Sequence, residues 1–169
     1  MSSLFSHIFI SVTILLIFSN RLGIDPKKII ILCPVSILPD IDIFFFHRAL
    51  LHNIFVPLIP FLFFVFMKNR RDVYGIMCFY LMSHVILDIF DGGVYLLYPF
   101  YYKLFYMQVE LMFRHDVIIP IIDYGISNKI MNNGVAEPMI SSENIGIAIL
   151  LTISVLINKI YGINKKCRS

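Results

Sequence analysis

The chain contains no tryptophan, only three cysteines, and few charges: 14 basic and 11 acidic residues make 15% of 169. So thin a charge complement beside 59% hydrophobic residues excludes an ordinary soluble domain. The net charge of +3 is too small, and its basic residues too dispersed between apolar runs, for a nucleic-acid-binding chain. Cys33 and Cys78 lie inside apolar segments and Cys167 in a basic tail, which excludes both a CxxC metal site and a disulfide framework. Internal repeats and low-complexity tracts are also missing.

What remains is grease with punctuation. Apolar runs occupy 4–18, 29–46, 54–67, 73–90 and 145–160, several shorter than the roughly 20 residues of an upright span. The first run lacks a basic n-region and a small-residue cleavage site, so it is expected to stay as a helix and not to be removed as a signal peptide. Pro34 and Pro39 interrupt the second, which predicts a bent or re-entrant segment around 36–42. The expected fold is therefore an all-α, polytopic integral membrane helical bundle of about five spans. Its expected parts are a membrane-embedded core over 1–100, an interfacial, partly helical cap over 101–143, and a last span with a basic tail over 144–169.

Arg21, Lys27 and Lys28, then Lys68, Arg70 and Arg71, then Lys159, Lys165, Lys166 and Arg168 form three basic clusters. Placed on the cytoplasmic side, they predict an outer N-terminus and a cytoplasmic C-terminus. Tyr98, Tyr101, Tyr102 and Tyr106 read as an interfacial belt.

Against this background seven titratable residues stand out: Asp40, Asp42, His47, His52, His84, Asp88 and Asp91. Each would cost roughly 2.5 to 3.5 kcal/mol at a helix centre in a membrane. Carboxylate oxygens and imidazole nitrogens are ligands for Zn, Mn or Fe, and one cation would satisfy both kinds of group. His84, Asp88 and Asp91, at i, i+4 and i+7, share one helical stripe. Asp40 and Asp42, following Pro39, would point the same way from the turn or extended backbone expected there, and would diverge by about 200° on an α-helix. His47 and His52 are about 140° apart on a helix, so one suits a metal while the other positions substrate or works as a general acid or base. Arg48 is the guanidinium placed to steady a phosphate or carboxylate. His7, one turn into the first run, completes the set, whereas His115 and Asp123 read as surface residues.

In order, these residues read His7, then Leu38-Pro39-Asp40-Ile41-Asp42, His47-Arg48-Ala49-Leu50-Leu51-His52, His84-Val85-Ile86-Leu87-Asp88, Asp91-Gly92-Gly93 and Leu97-Tyr98-Pro99. This pattern resembles the membrane-bound metal-dependent hydrolases of the YdjM type, over residues 1 to about 100. Ala49 and Leu51 depart from the usual Gly and Thr, and Ser11 stands where a Gly usually follows the first His. The resemblance implies a hydrolase in the cell membrane with Asp40, Asp42, His47, His52, His84 and Asp88 as its polar positions.

The expected function is hydrolysis of an ester or phosphoester, such as a lipid or lipid-linked substrate, at the outer membrane face. One or two divalent ions, Zn or Mn foremost, would be held by Asp40, Asp42, His84, Asp88, Asp91 and His7, with His47, His52 and Arg48 in catalytic roles. The expected partners are the lipid bilayer and that substrate, with no nucleic acid; the oligomeric state is left open. A metal-ion or proton transporter is the alternative, and a structural protein whose metal staples helices is a third.

Overall fold

The computed structural model describes residues 4–44, 48–114, 117–128 and six positions between 148 and 156. Helix α1 (Leu4–Leu22) leads through a Gly23 turn to the short α2 (Pro26–Ile31), then to a 3-10 segment, Cys33–Phe44. Helices α3 (Phe55–Phe66) and α4 (Arg71–Phe90) follow, and strands β1 (Leu104–Arg114) and β2 (Val117–Ser127) form an antiparallel hairpin.

Local sequence explains most of these boundaries. Asp25 caps α2 by accepting from the backbone N–H of Lys27 at 2.9 Å, with Pro26 in the first turn, where its missing N–H costs nothing. Pro39 sits inside the 3-10 segment. Its missing donor disfavours α-helix, and the tighter winding, about 120° per residue, prevails over the extended backbone expected there. Asn53 opens α3 by accepting from the N–H groups of Phe55 and Val56 at 3.0 and 3.2 Å.

Helices α1 and α4 are long and apolar enough to cross a membrane. The 20 residues of α4 span about 30 Å. The 12-residue α3 is shorter than a span needs. The two long helices run antiparallel: Lys28, just beyond α1, pairs with Asp72 in the first turn of α4, while His7 meets Asp88 at the far ends. Between them lies a core of Leu15, Ile29, Ile76 and Tyr80, with the Tyr80 hydroxyl donating to the Ile29 carbonyl at 2.7 Å. Phe63 stacks on Tyr74 where α3 meets α4.

Two expectations change. The fold is mostly helical but not all-α, since the expected helical cap holds a hairpin pairing Leu104 with Ser127 through Arg114 with Val117. Its β-branched and aromatic residues satisfy their backbone groups across the ladder, and Pro120 is tolerated because a two-stranded sheet has only edges. A five-span bundle is not established either: among the described residues there are two candidate spans. The second run is divided between α2 and the 3-10 segment, and the run 145–160 lies largely outside the described residues.

Candidate metal centre

Helix α4 contributes His84 and Asp88, whose i, i+4 spacing sets Nε2 and Oδ2 3.3 Å apart. The loop before α3 brings His52, with Nε2 2.9 Å from the same Asp88 Oδ2 and 3.2 Å from His84 Nε2. From the 3-10 segment, Asp40 Oδ1 lies 3.4 Å from His84 Nε2 and 3.7 Å from His52 Nε2. Four side chains from three elements thus converge. Ligands about 2.0 to 2.1 Å from a tetrahedral ion stand about 3.3 Å from one another, and the five separations above run from 2.9 to 3.7 Å. Each imidazole is thus spaced from its carboxylates as the ligands of one metal ion are, and the cluster could hold such an ion.

Both imidazoles are held from behind. His84 Nδ1 donates to the Ser36 carbonyl at 2.6 Å, which aims the Nε2 lone pair of the neutral ring at the shared point. Asp42 does the same for His52, accepting from Nδ1 at 2.9 Å. Asp42 is fully buried and also receives the backbone N–H groups of Arg48 and Leu51, at 3.4 and 3.1 Å. On the 3-10 winding, Asp40 and Asp42 bracket the His52 ring from its two nitrogens instead of pointing the same way. Carrying Asp42→Asn, the protein should bind zinc 10- to 100-fold more weakly, roughly the cost of losing a group that orients a ligand; a competitive chelator titration reads this.

His7 approaches from α1. Its ring stacks on His84 with centroids 4.2 Å apart, and its Nε2 lies 3.4 Å from the second oxygen of Asp88, Oδ1. His7, His84 and Asp88 form a second donor group beside that of Asp40, His52 and His84. His52 and His84 have no exposed side-chain surface and Asp88 very little, whereas the Asp40 side chain is 27% exposed. Water reaches the cluster on the Asp40 side.

Burial works against a charged His52, but hydrogen bonds to the carboxylates of Asp40, Asp42 and Asp88 outweigh it and push its pKa up from 6.5 to about 11. In the metal-free protein at neutral pH, His52 is therefore an imidazolium that donates from both nitrogens. A metal must displace one of those protons.

Arg48 and Asp91 are brought together away from the donors. Buried Arg48 has a left-handed backbone, φ 65°, and its guanidinium donates to the Asp91 carbonyl at 2.8 Å, the Gly93 carbonyl at 3.4 Å and the Asp91 carboxylate at 3.3 Å. Further backbone bonds, Tyr95 N–H to the Arg48 carbonyl and Ile54 N–H to the Leu96 carbonyl, lace the His52 loop to the turn after α4. Asp91 belongs to neither donor group. His47 and His115 lie outside the described residues. Sequence reasoning did not single out the Ser36 carbonyl or Asn53; an Asn directly before an apolar run is a helix-start signal that marks the second, while nothing in the sequence marks a carbonyl.

The family model of the YdjM inner membrane proteins matches residues 1–165, so the chain belongs to that family. The match continues well beyond the motifs near residue 100 into the hairpin and the segment after it. No curated protein matches the chain, and no solved structure does.

Proposed function

We propose that this YdjM-family protein is a membrane-bound, metal-dependent hydrolase of esters or phosphoesters, lipid or lipid-linked ones in particular. The observation that carries this reading is the convergence of Asp40, His52, His84 and Asp88, in which both imidazoles lie within 3.7 Å of both carboxylates and Asp40 is the most exposed of the four. When bound, such an ion supplies Lewis acidity, polarising a carbonyl or phosphoryl oxygen and acidifying water.

The chain's own groups do the rest. Asp42 and the Ser36 carbonyl hold the two imidazoles in the ligating tautomer. Asp88 turns Oδ1 to His7 Nε2 at 3.4 Å, and this contact steadies the carboxylate. Arg48 positions the His52 loop through Asp91 and Gly93. The buried walls exclude bulk water from all donors but Asp40.

The site faces the outer side of the membrane in this reading. Arg21, Lys27, Lys28, Arg70 and Arg71 gather at one end of the antiparallel pair α1 and α4, and His7, His84 and Asp88 at the other. Positive residues inside place the cluster outside. Such concentration at one depth favours a reaction centre over an ion conduit, which would carry ionisable groups at several depths.

Purified, zinc-loaded protein in detergent should hydrolyse at least one of a panel of phosphomonoesters, phosphodiesters and phospholipids, and chelation should stop it. Metal-replete protein that cleaves none of them overturns the reading. Proton competition adds a second test. Because His52 must shed a proton, zinc affinity should rise at least tenfold per pH unit between pH 6.5 and 9, and flatten only as pH approaches 11. The metal-free protein should behave oppositely. Its raised pKa contributes stability that is fully present below 6.5 and is lost as pH rises towards 11. Isothermal titration and thermal melts across that range measure both.

A further inference from the structure

The hairpin is amphipathic. Cross-strand partners lie on one face of a ladder and successive residues alternate. The register therefore puts Phe105 with Ile126, Met107 with Tyr124, and Val109 with Ile122 on one face. That face carries no polar side chain apart from the tyrosine hydroxyl, and Val109, Ile122, Tyr124 and Ile126 are each more than half exposed. The opposite face carries Gln108 beside Asp123, with Ser127 beyond, but also Tyr106 and an exposed Ile121, and its Leu104 is fully buried against the body of the protein. A contiguous exposed apolar surface of this kind marks an interaction site.

We propose that this face rests on the lipid of the outer leaflet, beside the ends of α1 and α4 that hold the metal cluster. The hairpin is fixed at that level. Val94 and Phe105 exchange backbone hydrogen bonds at 2.9 Å, and Val94 lies four residues after the end of α4 at Phe90. The apolar face is thus continuous with the surface of a helix long enough to cross the bilayer. Phe100 and Tyr102, both more than half exposed, fill the connection, and aromatic residues gather where headgroups meet acyl chains. Lys103 has its ammonium 5.8 Å from the Tyr101 ring, a place from which a lysine reaches lipid phosphates. With water on the Asp123 face and lipid on the Tyr124 face, the ribbon lies flat along the membrane. It holds the donor cluster at headgroup depth, whatever chemistry occurs there.

The absence of tryptophan makes the test direct. Tyr124→Trp and Asp123→Trp place a single reporter on either face, and Ile126→Trp is a second on the lipid face should the first disturb folding. In proteoliposomes of phosphatidylglycerol and phosphatidylethanolamine, Tyr124→Trp or Ile126→Trp should emit to the blue of Asp123→Trp and lose most of its fluorescence to brominated acyl chains. Asp123→Trp should instead be quenched by aqueous iodide. Iodide quenching of all three alike overturns the proposal. So does protection of Tyr124→Trp from both quenchers in protein that migrates as a dimer, since a second copy would then cover the face.

Discussion

His84→Ala protein, purified beside wild type, should hold no divalent metal above background and lose hydrolysis by about 10³-fold or more, the scale on which breaking a catalytic unit acts. The substitution removes the Nε2 that lies within 3.4 Å of Asp40, His52 and Asp88. It also removes the partner of the Ser36 carbonyl and the ring on which His7 stacks. Truncating a buried, paired ionisable group costs about 3 to 5 kcal/mol when its partners stay behind, so the melting temperature should fall as well. Asp40→Ala separates the two effects. Asp40 is the partly exposed donor, so its loss should abolish metal retention and activity while costing the metal-free protein less stability than His84→Ala does. A helix staple behaves differently: chelating wild type would lower its melting temperature with no hydrolysis to lose. Metal retained by both variants would sink the centre itself.

The second large effect lies outside the donors. Gly93→Ala should destabilise the protein by about 3 to 5 kcal/mol, combining a left-handed backbone at a residue with a Cβ and a steric overlap. The backbone at Gly93 has φ +91°, and a Cβ there would sit 2.3 Å from a Leu104 methyl, 2.7 Å from the Phe105 carbonyl oxygen and 2.9 Å from the Tyr106 Cβ. Backbone cannot yield as a flexible side chain can. Because the Gly93 carbonyl also receives Arg48, the damage should spread to the His52 loop and loosen metal binding. Thermal unfolding in detergent, with and without zinc, measures both. A melting temperature equal to that of wild type would mean the hairpin does not close on Gly93.

How much of this could be read in advance depended on how local the geometry was. The His84 and Asp88 relation is a property of any helix, so the spacing alone placed both on one stripe, and their donor atoms lie 3.3 Å apart. Asp40 and Asp42 were harder because their relation depends on which backbone follows Pro39, and the 3-10 winding is neither of the two geometries weighed. Arg48 read as a substrate clamp because sequence shows a charge and not its partner. Its bonds to Asp91 and Gly93, 43 and 45 residues on, need a positive φ at Arg48 and the Gly92-Gly93 turn together. The hairpin was hidden for a compositional reason: Tyr98, Tyr101, Tyr102 and Tyr106 read as an interfacial belt. The period-2 pattern of Phe105, Met107 and Val109 was the signal available there.

The donors are drawn from residues 7, 40, 52, 84 and 88, so no prefix of the chain that ends before α4 can present a complete coordination sphere. During synthesis His7 emerges some eighty residues ahead of His84 and Asp88. Any metal the proposed centre takes up is consequently bound only once α4 has been made.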